Sequence, residues 1–260
     1  MNPAALGVAL SIGLFVGLVA CLDVGFRIGL RSIEKHRESA HEGIGAIDAA
    51  ILALLGLLLA FTLSGSMSRL DTRRHLIVQE ANAIGTAYLR LDLLPASEQH
   101  EMRLLFREYI DARLRVYEKL PDWQAVKQEL GNAARIQQQI WSRAVTAART
   151  DSPQDAPRLI LLLPALNEMI DVTTARTIAL ETHLPTLIFV LLVFVALLSG
   201  LLTGFTMAKR KKRSLLHMFL YASVIAITVY AVLDLEYPRS GLIKLDPADK
   251  ALIELRDSIH

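Results

Sequence analysis

The chain has 260 residues, of which 53% are hydrophobic and 21% charged, and its mean hydropathy is +0.38. A soluble domain of this size seldom runs so apolar, so the charged residues must be segregated from long apolar blocks. The net charge of +2 points to neither an acidic nor a basic partner and gives no case for nucleic acid, and a single cysteine, Cys21, excludes an intrachain disulfide and a thiolate zinc site.

The first apolar block runs from Pro3 to Leu22. Met1 and Asn2 carry no positive charge, whereas a secretory signal begins with a basic segment, so the block is expected to be a retained membrane helix. The second runs from Ile44 to Leu63 and is interrupted only by Asp48. The third, Pro185 to Ala208, has no charge at all, and the fourth, Ser214 to Leu233, has His217 near its start. A helix rises about 1.5 Å per residue, so about 20 apolar residues cross a hydrocarbon core about 30 Å thick. All four blocks meet that length, and they predict an all-α membrane protein whose first partner is the lipid bilayer.

Charge between the blocks predicts orientation. Lys209-Arg210-Lys211-Lys212-Arg213 separates the third and fourth spans, and Arg27, Arg31, Lys35 and Arg37 lie between the first and second. Short basic loops stay in the cytoplasm, so the loops 23–43 and 209–213 are expected there, with residues 68–184 on the periplasmic side of a bacterial inner membrane. Arg69, Arg73 and Arg74 oppose this but belong to a long loop, where the rule is weak.

Residues 68–184 read as helix almost throughout. Leu70, Ile77, Ala81, Ile84, Tyr88 and Leu91 recur at steps of three, four and seven, so this helix is expected to continue the second span as far as Pro95. A second helix is expected from Ser97 as N-cap, with the stripe Met102, Leu105, Tyr109, Ala112 and Val116, ending at Pro121-Asp122. A third carries Trp123, Val126, Leu130, Ala133, Ile140 and Ala144, with Gln137-Gln138-Gln139 as a solvated face. The loop 151–157 precedes a fourth helix that leads through Pro164 to the third span. The predicted organisation is therefore spans one and two at 1–67, a helical extramembrane domain at 68–184, spans three and four at 185–237, and a C-terminal tail at 238–260.

No constellation for catalysis appears, and no cofactor is expected. None of the seven histidines forms an HExxH sequence or an i, i+4 pair. Glu168 and Asp171 share a helix face near Arg176, which reads as an internal ion pair before it reads as a cation site. Asp48 is the one acid well inside a span. Intramembrane acids default to functional hypotheses, but this one lies about a turn from the loop, close enough to reach the interface.

Three stretches carry a resemblance. Leu54-Leu55-Gly56-Leu57-Leu58-Leu59-Ala60-Phe61 runs into Arg69 and Arg73-Arg74. Arg176-Thr177 and Thr182-His183-Leu184-Pro185 precede the third span. Asp234-Leu235-Glu236-Tyr237-Pro238-Arg239-Ser240-Gly241 follows the fourth. These resemble bestrophins, and the phrases GTAYLRLDLLP, LLPALNEMID and LDLEYPRSGLI are closer still to bacterial membrane proteins of the bestrophin-like group DUF4239, over about residues 44–250. Bestrophins are pentameric anion channels with the second span lining a hydrophobic neck. The resemblance implies a homo-oligomer that passes inorganic anions, with neck positions Ala53, Leu57 and Phe61. It also reduces the calcium-binding acidic run of animal bestrophins to Asp234 and Glu236, so no calcium clasp is expected. Bestrophins keep the helical domain in the cytoplasm, opposite to the charge rule, which is followed here for orientation. The other reading is a membrane-anchored helical interaction protein with no transport activity.

Overall fold

A computed structural model of the chain describes residues 3–35, 44–120, 122–147, 156–208, 214–238, 241–243 and 245–259. The basic run Lys209–Arg213, most of the first interhelical connection (36–43) and the start of the loop at 151–157 lie outside the described residues. Among the described residues there is no strand. The described residues form eight α-helices: α1 (Pro3–Lys35), α2 (Ile44–Leu89), α3 (Ala96–Glu118), α4 (Trp123–Ala147), α5 (Ala156–Glu181), α6 (Thr186–Met207), α7 (Leu215–Glu236) and α8 (Asp246–Ser258), with a 3-10 turn at Arg90–Leu93 after α2. The chain is an all-α, multi-pass membrane protein, with four stretches among the described residues long and apolar enough to cross a bilayer.

Two compact units divide the chain, residues 1–68 with 183–243 and residues 69–182 with 244–260. The first is the membrane unit. Its core gathers Leu14 and Leu18 of α1, Leu55 of α2, Leu192, Val195 and Ala196 of α6, and Ala222, Ile225 and Val229 of α7. The side chains these helices leave uncovered on α6 and α7 are large and apolar, among them Leu187, Val190, Phe194, Leu216, Val224 and Ile227, as a lipid-facing surface requires.

α1 is longer than its apolar block. Residues 23–35, expected in a loop, continue the helix, and Asp23 and Arg27 pair along it at 2.8 Å. The reason lies in its contact with α6. Gly25 and Gly29 on α1, and Gly200 and Gly204 on α6, repeat at i, i+4, the spacing that lets two membrane helices approach backbone to backbone. A Cβ on Gly204 would collide with the Leu22 carbonyl, and one on Gly25 with that of Leu201. The glycines therefore extend the α1–α6 seam beyond the first apolar block.

The second unit is a helical domain. Ile77, Ile84 and Tyr88 of α2 are buried in it, as are Met102, Phe106, Tyr109, Ile110 and Val116 of α3, Val126, Ile136 and Ile140 of α4, and Leu166 and Met169 of α5. α3 starts one residue ahead of Ser97, with Pro95 at the cap position and no side-chain cap. The capping residue of this region is Asp122, whose carboxylate accepts the Gln124 and Ala125 N–H groups at 3.0 and 3.2 Å to start α4. Trp123, expected on the buried stripe, is partly exposed. The tail is ordered as α8, which buries Leu252 and joins Arg256 to Asp111 at 3.0 Å.

Gly204→Leu is expected to destabilise the protein by about 1–3 kcal/mol, the usual cost of overpacking a closed contact. Gly13 has open space where a Cβ would go, so Gly13→Ala should hold or raise the melting temperature. Thermal unfolding in detergent, followed by helix ellipticity, reads both; equal melting of Gly204→Leu and wild type would remove the glycine seam from the account.

Candidate functional site

α2 of the membrane unit has two distinct faces. Asp48, Leu55, Thr62 and Ser66, spaced seven, seven and four, are all buried and form the inward seam. Ala53, Leu57 and Phe61, at i, i+4 and i+8, are all exposed, Phe61 to 68%. At about 100° per residue Asp48 and Leu57 lie on opposite sides of the helix. Gly56, Ala60, Ser64 and Ser68 accompany the three on the uncovered side, which mixes these small residues with the large exposed Leu54 and Met67. Between Ile47 and Ser68 that side bears no acidic group.

Asp48 turns into the bundle instead of reaching for the interface. It is 7% exposed, and its Oδ2 accepts a hydrogen bond from the Thr206 hydroxyl of α6.

Two of the stretches that suggested the resemblance meet at the far end of the same unit. Glu236, at the end of α7, is buried; it accepts from the Ser66 hydroxyl of α2 at 2.6 Å and from the Leu184 N–H, just ahead of α6, at 3.0 Å. His183 lies 3.9 Å from the same carboxylate and stacks on Tyr237 at 4.6 Å. One side chain thus ties together the ends of three spans. Asp234 accepts the N–H groups of Leu242 and Ile243, each at 3.0 Å, and a Cβ on Gly241 would collide with its Oδ1. The turn after α7 closes on that carboxylate, and only glycine lets the chain approach so near. Both acids therefore accept hydrogen bonds from the chain itself. Among the described residues no group of three or more His, Cys, Asp or Glu side chains could hold a metal ion.

The helical domain holds a charge cluster that the sequence reading paired differently. Arg176 does not pair with Glu168 or Asp171, which lie exposed on the surface of α5. It bonds Glu80 of α2, which also takes Arg113 of α3 at 2.5 Å, and all three are buried. Asp249 of α8 approaches Arg176 at 3.8 Å, so two acids balance two guanidiniums. The Arg176 guanidinium lies 3.9 Å from the centre of the Tyr117 ring, and Arg113 donates to the Tyr117 hydroxyl at 2.9 Å. Arg73, also buried, donates to the Ala179 and Thr182 carbonyls at 3.0 and 2.7 Å and so secures the end of α5. Arg69 is half-buried. The sequence did carry a signal for the cluster. Glu80 stands at a stripe position between Ile77 and Ile84, and Arg113 between Tyr109 and Val116; a charge inside an apolar stripe requires a buried partner.

Burial alone would raise the Glu80 carboxyl, but Arg113 and Arg176 outweigh it and hold it below its ordinary value of 4.5. Burial also pushes the neighbouring Tyr109 phenol up to about 12. Removing the Glu80 charge would leave two buried guanidiniums facing each other, so Glu80→Gln is expected to cost about 3–5 kcal/mol. Because the folded-state value is depressed, the stabilisation is present above the unfolded value near 4.5 and fades as the pH falls from there through the folded one. Denaturant titration from pH 7 to pH 3 should show wild-type stability falling over the acid limb and Glu80→Gln losing part of that slope. Parallel curves would remove Glu80 as the group responsible.

No curated protein and no solved structure matches the chain. The model of the family described as the bestrophin-like domain matches residues 16–249, which takes in α2 to α7, both convergent stretches and the first turn of α8. With nine-tenths of its length matched, the chain belongs to the bestrophin-like domain family.

Proposed function

We propose that the protein is one subunit of a homo-oligomeric membrane channel that conducts inorganic anions, with the outward face of α2 turned toward the axis. The observation that carries this reading is the contrast between uncovered surfaces. On α6 and α7 the uncovered side chains are large aliphatic and aromatic groups suited to lipid tails. On α2 large exposed groups, among them Leu54, Leu57, Phe61 and Met67, are interspersed with the small Ala53, Gly56, Ala60, Ser64 and Ser68. Small residues give lipid little to pack against but allow helices to approach one another or to border an aqueous path. Rings of Leu57 and Phe61 from several copies would form a hydrophobic constriction of the kind that gates by dewetting. Asp48 points away from that face, so no acidic ring opposes an anion there. Membership of the bestrophin-like family supports the channel reading, and the resemblance to bestrophins suggests five copies.

The bacterial inner membrane is the proposed site, with the basic ends of α1 and the run 209–213 in the cytoplasm and the helical domain in the periplasm. Gln138 is exposed on α4. With Cys21 changed to Ser, Gln138→Cys should react with an impermeant thiol reagent in intact cells; reaction only after lysis would reverse the orientation to that of bestrophins.

The channel itself is tested by electrical recording from purified protein in planar bilayers. Wild type should carry a current that reverses near the chloride equilibrium potential, and Phe61→Ala should raise the open fraction by widening the constriction. In the Cys21→Ser background, Leu57→Cys should crosslink between copies. Silence from both wild type and Phe61→Ala, with no crosslinked species, would overturn the reading in favour of a membrane-anchored interaction protein.

A further inference from the structure

A cavity of about 530 Å³ lies within the membrane unit, between α1, α2, α6 and α7. That is the size of an ordinary small-molecule site. Leu22, Leu52 and Met207 give it an apolar wall, and Tyr221 presents a ring and a hydroxyl. Asp48 supplies its one carboxylate, and among the described residues that line it there is no Lys or Arg.

The state of that carboxylate is the informative observation. Asp48 is more than nine-tenths buried, and its Oδ1 has no hydrogen-bond partner. Its other oxygen takes the Thr206 hydroxyl, whose single hydrogen is shared with the Leu202 carbonyl at 3.0 Å. Of the other polar groups around the cavity, the Thr203 hydroxyl has no hydrogen-bond partner and the rest are engaged. The Tyr221 hydroxyl meets Ser199 at 2.6 Å, and Ser214 meets the Nδ1 of His217 at 2.6 Å. A buried carboxylate short of donors is costly, and in a span such an acid persists where it meets a charge. The missing element is an N–H donor bearing positive charge.

We propose that this cavity binds a small amphiphilic ammonium compound, its charged head donating to Asp48 Oδ1 and its apolar body lying against Leu22, Leu52 and Met207. The Tyr221 ring offers a second attraction for the head through its π face. An inorganic cation fits poorly, because the site offers a single carboxylate in a space far larger than one ion's shell. An anion is excluded by the Asp48 charge. The inference does not depend on whether the protein conducts, since Asp48 lies on the opposite side of α2 from Leu57.

The test is isothermal titration of the full chain in detergent micelles with 2-phenylethylammonium chloride, against the neutral 3-phenyl-1-propanol, with protein-free micelles as the blank. The ammonium should bind about tenfold or more tightly than the alcohol, and Asp48→Asn should remove that advantage while leaving the alcohol unchanged. Leu52→Trp, which fills the cavity without touching the carboxylate, should abolish binding of both and serves if Asp48→Asn fails to fold. Equal binding of alcohol and ammonium would reduce the cavity to an apolar groove. Displacement of the ammonium by millimolar sodium or potassium would make it an inorganic ion site, and undiminished ammonium binding in Leu52→Trp would put the ligand elsewhere. Each of these three outcomes overturns the proposal.

Discussion

A polar group inside a membrane span has no water to fall back on, and much of the first unit follows from that restriction. Its backbone solves the problem by remaining helical for the whole crossing. Several of its hydroxyls solve it by turning back on their own helix. Ser11 donates to the Gly7 carbonyl at 2.9 Å, Thr62 to that of Leu58 at 2.7 Å, Ser199 to that of Ala196 at 2.7 Å, and Thr228 to that of Val224 at 2.8 Å. Serine and threonine are thereby affordable anywhere along a span. Carboxylates lack a hydrogen to give, so they must be brought to donors. Glu236 meets Ser66 and the Leu184 N–H, and Asp234 meets two N–H groups of the following turn. Their donors come from the turn after α7 and from the chain entering α6, so Asp234 closes that turn and Glu236 staples the ends of three spans.

The helical domain works under the opposite economy. Water is available at its surface, and ion pairs there contribute little. Its Glu80–Arg113–Arg176 cluster is fully withdrawn from water, so its members are held by one another and by Tyr117. Buried pairs of this kind are poor sources of net stability, because desolvation consumes most of the attraction. Their effect is on register. α2, α3 and α5 each contribute one charge, and a slip of either partner helix by one residue would strand a guanidinium in an apolar core. The cluster therefore specifies which turns of the three helices meet, and Asp249 adds α8 to the same point.

The parts of this architecture legible in the sequence are those set by local pattern. The four spans follow from length and hydropathy. The stripe Ile77, Ala81, Ile84 and Tyr88 follows from period, and the bestrophin-like membership from short phrases that local reading can recognise. What escaped depends on contacts between distant segments. Residues 23–35 look like a charged loop until Gly25 and Gly29 are seen against Leu201 and Phe205 of α6. Arg176 has two acids earlier on its own helix, yet its partner is 96 residues away in sequence. The tail gives little hint of helix α8 until Leu252 and Arg256 find their sites on the domain. Neighbouring charges on one helix make the pairing easiest to imagine, but a salt bridge on an exposed face gains too little to compete with a buried acid lacking a cation.

α2 concentrates these lessons in one element. Its inward seam carries Asp48, Leu55, Thr62 and Ser66, and Asp48, Leu55 and Ser66 each touch or pack against another helix of the same unit. Its outward face carries Ala53, Leu57 and Phe61, which no part of the described chain covers. The two sets lie on opposite sides of the helix, so the contacts of the inward seam decide which side chains face outward. Glu236 on Ser66 and Thr206 on Asp48 fix its rotation from opposite ends of the span. A helix pinned at both ends presents a defined line of side chains between them, and that definition is what a constriction built from several copies would require.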